Sequence, residues 1–289
     1  MKWRSILGLI ISLAIISQSV LTQSIAVESK RDSVTPSQQE ASAILQAICG
    51  RDDVFPNRDR GGKLACRNCP SFTGVGSNRG SFTGVGSNRG SLSPFTLEKV
   101  VYGSFTQAGT REALADFDGC ESHGQFYGGS VLLRRSSQGW SALRYESGLR
   151  SNNCLKFPSK NGRDLLVCQG YYAQMGHSYD WLDAIQIGSS ETQKTKPIDL
   201  VSNTANYKPP FYETRIEDWI AQDIDKDGRP DLSIRVREAK SATKPPGFET
   251  RYDSHLPNPT FHRLTFLFDG QSFRATPDTA QIQQRIQRK

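Results

Sequence analysis

The residues best suited to chemistry lie in one acidic loop, whose sequence is D-I-D-K-D-G-R-P-D-L. Aspartates occupy its first, third, fifth and ninth positions, and the residue at the seventh position can add its backbone carbonyl. Hard oxygen ligands at this charge density favour calcium over zinc, and magnesium resists the dehydration that they require. The sequence therefore predicts one structural calcium site with these ligands: Asp223, Asp225, Asp227, Arg229 and Asp231.

This loop is predicted to join two strands, Trp219–Asp223 and Leu232–Arg237. Gly228 permits the sharp turn that wraps the chain around the ion. An EF-hand would need a glutamate at the twelfth position, where Ile234 stands, and no helical pattern flanks the loop. The D-x-D-x-D-G-x-x-D-L pattern instead resembles the calcium loops of FG-GAP and VCBS-type repeats, found in integrin-α-like β-propellers. The resemblance implies a propeller-like fold in which calcium locks a hairpin.

Other residue combinations give little support for catalysis. The segment 116–123 gathers acids, Cys120 and His123, which suits either an active-site corner or a polar loop. A carboxylate pair for glycoside hydrolysis, drawn from Glu121, Asp180 or Asp183, stays open because such acids meet only in three dimensions. Motifs of serine hydrolases, zinc proteases and phosphate-binding loops do not occur. We therefore expect a binding or scaffold module, with a secreted, carbohydrate-active hydrolase as the alternative.

The sequence does not specify a partner, and both a protein and a carbohydrate ligand are open. Several aromatic residues suit either a core or a surface that binds carbohydrate or peptide: Trp140, Trp181, Trp219, Tyr171 and Tyr172. Nucleic-acid binding is not expected, because it needs a concentrated basic face. Here the basic residues are scattered among acids, and the net charge of +7 falls to +5 (7 − 2) without residues 1–26.

The first 26 residues have the pattern of a signal peptide. Lys2 and Arg4 precede an apolar run from Ile6 to Ile16, and Ser24-Ile25-Ala26 supplies a cleavage site. The run is shorter than the roughly 20 residues of a membrane span, although an uncleaved anchor is the alternative. We predict a secreted or periplasmic protein with no transmembrane segment after cleavage.

Six cysteines in an exported chain indicate disulfides. They are Cys49, Cys66, Cys69, Cys120, Cys154 and Cys168. Cys154 and Cys168 flank a predicted strand-turn-strand and form the preferred local pair. The C-R-N-C motif at 66–69 also suits a zinc or redox site, but an oxidising compartment favours disulfides.

One helix is predicted near the N-terminus, after a polar segment (27–35) that is expected to be disordered. Thr35 is the predicted cap and Pro36 the first helical residue, an apolar stripe follows, and Gly50 ends the helix. Beyond it the decapeptide SFTGVGSNRG occurs twice in succession, from 71 to 90. Two copies indicate a tolerated loop extension and not a solenoid.

From residue 95 onward, short apolar runs between turn residues predict strands. Glycines 109, 162 and 228 each precede an acid and an apolar run, and they lie 53 and 66 positions apart. This spacing suits a four-stranded antiparallel unit repeated about three times, as in propeller blades. The predicted fold is all-β, a partial or divergent β-propeller with one N-terminal helix. The predicted segments are a signal peptide (1–26), a helix with a Gly-rich linker (27–94), a β-rich domain (95–280) and a basic tail (281–289).

Overall fold

The computed structural model describes residues 31–68, 94–119, 129–174, 176–203, 209–243 and 255–287. The predicted signal peptide, the duplicated decapeptide and the 120–123 part of the acidic segment lie outside these residues. Within the described ranges the chain is mostly β-strand, arranged in two antiparallel sheets with two α-helices. The predicted all-β class of antiparallel, propeller-like units is therefore confirmed.

The first sheet contains seven strands and is covered by the first helix, α1 (Gln38–Cys49). Its strands are β1 (Ser33–Val34), β2 (Val54–Asn57), β3 (Lys63–Cys66), β4 (Phe95–Gly103), β5 (Glu112–Asp118), β6 (Gly129–Ser136) and β7 (Gly139–Ser147). The spatial order is β2-β3-β4-β5-β6-β7, and β1 pairs with β4. The segment predicted as a helix plus linker thus adds three strands to this sheet.

The second sheet contains eight strands in sequential order, followed by helix α2 (Pro277–Gln287). Its strands are β8 (Cys154–Pro158), β9 (Asp164–Gln174), β10 (His177–Ile187), β11 (Thr192–Asn203), β12 (Phe211–Gln222), β13 (Asp231–Ser241), β14 (Thr260–Phe268) and β15 (Phe273–Ala275). Several exceed their predicted lengths, β8 is the first strand of the strand-turn-strand predicted between Cys154 and Cys168, and β11 was not predicted. Residues 281–287, predicted as part of a basic tail, belong to α2.

Three four-stranded meanders make up most of the two sheets. Unit 1 is β4–β7, unit 2 is β8–β11 and unit 3 is β12–β15. Units 2 and 3 share one sheet, but the strands at their boundary pair only at Asn203 and Tyr212. The predicted repeat length therefore corresponds to a real structural unit.

Each unit places one of the three spaced glycines in its first hairpin turn. Gly109, Gly162 and Gly228 have φ values of 72°, 74° and 85°, in the left-handed region that side chains avoid. Each is followed within three residues by the acid that begins the next strand, namely Glu112, Asp164 or Asp231. The internal similarity seen in the sequence reflects this shared turn.

Three clusters of buried apolar side chains hold the layers together. One joins unit 1 to unit 2 and contains Leu132 and Leu166. A second joins unit 2 to unit 3 and contains Leu182 and Leu232. The third lies between unit 1 and α1, where Ile44 is fully buried. Each fully buried side chain of these clusters contributes about 1.5–3 kcal/mol of transfer free energy.

The helix α1 begins later than the sequence predicted. Ser37, not Thr35, is the cap, because its hydroxyl accepts a hydrogen bond from Glu40 N at 3.2 Å. Pro36 therefore precedes the helix. The predicted stop at Gly50 is correct, since its φ is 88° and its N–H donates to a carbonyl of the last turn at 3.0 Å.

Two disulfides lie within the described residues. Cys49–Cys66 ties α1 to β3, and Cys154–Cys168 joins directly paired residues of β8 and β9, as predicted. Disulfides persist in oxidising compartments, so both bridges indicate that the chain folds in one. Cys69, half of the alternative zinc or redox motif, lies outside the described residues.

The N-terminal strap, defined as residues 31–34, contacts all three units, and the prediction of disorder was wrong there. Its β1 part pairs with β4 of unit 1. Asp32 accepts a hydrogen bond from Lys156 N, in unit 2, at 2.7 Å. The Arg31 guanidinium lies 3.8 Å from the centroid of the Trp219 ring and donates to the Trp219 carbonyl, in unit 3, at 2.8 Å. A polar segment is ordered here because each polar group has a partner.

Candidate metal centre and aromatic groove

The acidic loop connects β12 and β13 at the end of unit 3. The two strands pair from Phe211 and Ser241 down to Gln222 and Asp231, which brings both ends of the loop together. The chain reverses through a left-handed residue at Lys226, with φ 66°, and another at Gly228. This tight path turns the aspartate side chains of the loop toward a common centre.

The carboxylates of Asp223, Asp225 and Asp227 converge as the sequence predicted. One oxygen from each lies within 4.8 Å of the others, and all three residues are exposed. Amides of the loop fold back onto them. Asp227 N donates to Asp225 Oδ1 at 3.2 Å, and Gly228 N donates to Asp223 Oδ2 at 3.1 Å. Three anionic groups held this closely repel one another, and a bound cation would relieve that repulsion.

Arg229 contacts the cluster through two donors. Its backbone N–H donates to Asp227 Oδ1 at 2.9 Å, and its guanidinium donates to Asp227 Oδ2 at 3.0 Å. The same guanidinium reaches the Asp269 carbonyl at 3.4 Å. The side chain therefore offsets part of the negative charge, whereas the role predicted from the sequence belongs to its backbone carbonyl and stays a prediction.

Asp231 occupies a different environment from the three exposed aspartates. It is fully buried, and its Oδ2 accepts from Ile224 N at 2.9 Å and Asp225 N at 3.4 Å. Its Oδ1 accepts from Phe268 N at 2.8 Å. The carboxylate thus closes the loop and connects it to β14. Its role as a metal ligand stays a prediction.

Unit 1 uses the same closing carboxylate without an aspartate triplet. Glu112 is fully buried and accepts from Phe105 N and Thr106 N, both at 2.7 Å. These donors stand seven and six positions before the acid, as Ile224 and Asp225 do before Asp231. Burial raises the pKa of Glu112, but hydrogen bonds from Thr106, Arg134 and Phe105 together hold that pKa below its usual range. Loop closure by a buried acid is therefore shared by units 1 and 3, whereas Asp164 of unit 2 accepts from Ser104 N of unit 1 at 2.8 Å.

A second concave feature, the aromatic groove, lies on one face of unit 2 and has a volume of about 540 Å³. Its floor consists of β9 and β10, and the segment 147–150 after β7 forms a wall. The groove is lined by Tyr172, Tyr179, Trp181, Asp183, Lys196 and Asp199, among others. The cluster that joins units 1 and 2 continues beneath it through Cys168 and Ile185.

Of the acids considered for glycoside hydrolysis, the two that the structure describes, Asp180 and Asp183, lie on opposite faces of β10. Asp180 faces away from the groove, where it is buried and accepts from Gln169 Nε2 at 2.9 Å and Ile216 N at 2.7 Å. Burial raises its pKa to about 6. Asp183 lies on the other face of β10 and accepts from Trp181 Nε1 at 3.1 Å. Glu121 and His123 lie outside the described residues, so their candidate roles are untested.

The remaining aromatic candidates differ in their surroundings. Trp219 is buried between units 2 and 3 and belongs to the core. Trp140, in β7 of unit 1, packs against the cluster between unit 1 and α1, and its Nε1 donates to Glu40 of α1 at 3.1 Å. Trp181 and Tyr172 line the groove. Sequence reasoning could not separate these roles, because the distinction depends on which sheet face each residue occupies.

No helix among the described residues is long and apolar enough to cross a membrane. Comparison with known proteins gives no matching family model, and no significantly similar curated protein or solved structure. The candidate sites are therefore argued from their own geometry.

Proposed function

We propose that this chain is an exported calcium-binding β-repeat domain that acts as a binding or scaffold module. The observation that carries the proposal is the convergence of three exposed carboxylates within 4.8 Å in the β12–β13 loop. Oxygen-only ligands with this charge favour calcium, which accepts six to eight oxygen ligands in flexible geometry. The remaining coordination positions would be filled by the Arg229 carbonyl, by Asp231 and by water.

The role of the ion would be structural. The cluster is exposed at a hairpin end, and the hairpin belongs to the unit that packs against unit 2 through a large apolar core. Neutralising the carboxylates would hold the ends of β12 and β13 together without any contact to a reacting group. Exported proteins meet abundant calcium, so even a dissociation constant of about 10⁻⁴–10⁻³ M would suffice.

The proposal of export is supported by the two disulfides and by the signal-like pattern of residues 1–26. N-terminal sequencing of the protein secreted by an expressing cell tests it directly. Cleavage after Ala26 is expected. A mature protein that still begins with Met1 would contradict it.

The metal proposal is tested by thermal unfolding with calcium and with a chelator. If calcium is present at about ten times its dissociation constant, linkage contributes about 1.4 kcal/mol. For a domain of this size that corresponds to a rise in Tm of about 3–6 °C. Asp225→Ala, which removes the ligand oxygen, should remove most of this rise. Asp52→Ala, which deletes an equal charge at an exposed position outside the loop, should retain it.

Two outcomes would contradict the metal site. One is an equal Tm with calcium and with chelator, together with no calcium in the purified protein. The other is a calcium-dependent rise that Asp225→Ala leaves unchanged, because the ion would then bind elsewhere.

A further inference from the structure

We propose that the aromatic groove of unit 2 is a binding site for an uncharged oligosaccharide. This inference rests on the proposed function, since it names the ligand class of the binding module. It uses residues that the metal centre does not touch. The two can therefore succeed or fail separately.

The groove has the size and position of a ligand site. Its volume of about 540 Å³ falls within the range of roughly 300–1,000 Å³ typical of such sites. It lies where unit 1 stops covering unit 2, so packed side chains support its floor. Cys168, one of the floor residues, is fixed by its disulfide to Cys154. The site is thus largely formed before any ligand arrives.

The floor presents aromatic rings on one sheet face. Trp181 pairs with Gly170, and Tyr179 pairs with Tyr172, across β9 and β10. Tyr172 and Tyr179 stack with centroids 6.3 Å apart. A Cβ on Gly170 would lie 2.3 Å from the Trp181 ring, so the glycine is what allows the indole to lie against the sheet. Flat aromatic surfaces of this kind pack against the C–H faces of sugar rings.

Polar side chains surround the rings, and they can donate hydrogen bonds to sugar hydroxyl groups or accept hydrogen bonds from them. Asp183 accepts from the Trp181 indole at 3.1 Å, which orients both side chains. Lys196 lies 5.1 Å from the Trp181 ring centroid and donates to Asp199 at 3.2 Å. Carboxylates accept from hydroxyls, and ammonium groups donate to them. Arg150, another residue of the groove lining, donates to Asp116 at 3.0 Å, so its positive charge also has a partner.

This balance of charge argues for an uncharged ligand. The lining contains two acidic residues, Asp183 and Asp199, and two lysines, Lys194 and Lys196, so these charges are equal in number. Arg150 is paired with Asp116, which lies outside the groove lining. A polyanion would be repelled by the two aspartates. A polycation would be repelled by the two lysines and the arginine. A neutral polyol can instead use both kinds of group.

An extended peptide fits the groove less well. The floor strand β10 pairs with both β9 and β11, whereas β9 pairs with β8 only from Asp164 to Cys168 and with β10 alone from 169 to 174. A peptide that added itself as a strand could pair only with residues 169–174 at the edge of β9, and it would then lie beside the floor and not across the aromatic faces. Recognition must come from side chains, which here are aromatic faces and hydrogen-bonding tips.

The experiment is isothermal titration calorimetry of the full mature chain with cellohexaose, chitohexaose and maltohexaose, in calcium. At least one should bind with a micromolar to millimolar dissociation constant. Trp181→Ala should weaken that binding about tenfold or more, since an aromatic contact contributes beyond its buried area. Tyr172→Ala leaves the indole packing in place and should also weaken it. Phe261→Ala, an exposed aromatic on unit 3, should not.

Binding of none of the three would overturn the inference, as would binding that both groove variants leave unchanged. Preferential binding of a heparin-derived hexasaccharide would also overturn it, because the ligand would be anionic. The calcium dependence of Tm is measured on the same samples. A retained calcium effect without sugar binding rejects the groove alone, whereas sugar binding without a calcium effect rejects the metal site alone.

Discussion

Replacement of Asp231 by alanine, measured without the ion, tests what its carboxylate contributes to loop closure. The buried carboxylate accepts two short hydrogen bonds, from Phe268 N at 2.8 Å and Ile224 N at 2.9 Å, and a longer one from Asp225 N at 3.4 Å. A buried donor that loses its partner costs about 1–3 kcal/mol. Phe268 N lies in the interior and should cost the larger value, whereas the loop amides can partly recover water. We therefore expect a loss of about 3–5 kcal/mol in the free energy of unfolding.

The assay is urea unfolding followed by circular dichroism, with excess chelator so that no ion contributes. Asp225→Ala should change stability by less than about 0.5 kcal/mol under these conditions, because that side chain is exposed. Asp269→Ala is the matched control. Its carboxylate also accepts hydrogen bonds from two amides, Gln271 N and Ser272 N, but it lies at an exposed turn. This substitution should cost about 1 kcal/mol or less, since water replaces the lost acceptor. A loss below about 1 kcal/mol for Asp231→Ala would refute the reasoning.

Three further perturbations test other parts of the structure. Removing the Cys154–Cys168 bridge with a double alanine variant should cost about 3 kcal/mol in urea unfolding, because the closed loop spans 14 positions; an unchanged midpoint would contradict this. Burial raises the folded-state pKa of Asp180 to about 6, so its contribution to stability is present below about pH 4 and is lost as the pH rises through about 6. Asp180→Asn should reduce this pH-dependent loss of stability by up to about 3 kcal/mol. An unaltered pH dependence would mean that other groups cause the loss. Arg31→Ala should cost about 1–2 kcal/mol through the lost ring contact and hydrogen bond, whereas Arg51→Ala, at an exposed position, should cost nothing measurable.

The metal triplet was predictable because its geometry is local. Asp223, Asp225 and Asp227 alternate along five residues, and a tight turn is enough to bring them together. The connection that Asp231 makes to β14 was not predictable, since its partner Phe268 N lies 37 positions away. A sequence pattern records which residues are present in a loop, but not which distant amide points toward them.

The repeat units were found through their glycines for a similar reason. A left-handed turn strongly prefers glycine, so Gly109, Gly162 and Gly228 mark the same place in three units. The strand β11 was missed because its first half is exposed and contains two lysines and a proline, with no apolar alternation before Ile198. It is held by pairing with β10, which is a tertiary effect.

The sequence indicated the aromatic residues of the groove but not their arrangement. The aromatic residues were noted, but their shared face depends on the β9–β10 register, which places Tyr172 opposite Tyr179 and Gly170 opposite Trp181. A shift of one residue would have sent each ring to the opposite side. Register is set by the whole hairpin, so the groove follows from pairing and not from composition.

The N-terminal strap has a consequence for the order in which the chain can fold. Arg31 leaves the ribosome or the export channel early, yet its partner Trp219 follows 188 positions later. The strap therefore cannot reach its final position until unit 3 has formed, and its contacts have a high sequence separation, which slows folding. Until then the ends of the three units are exposed to other chains. A bulky fusion placed directly before residue 31 would act at this last step, and we expect it to lower the yield of folded protein even though it lies far from both candidate sites.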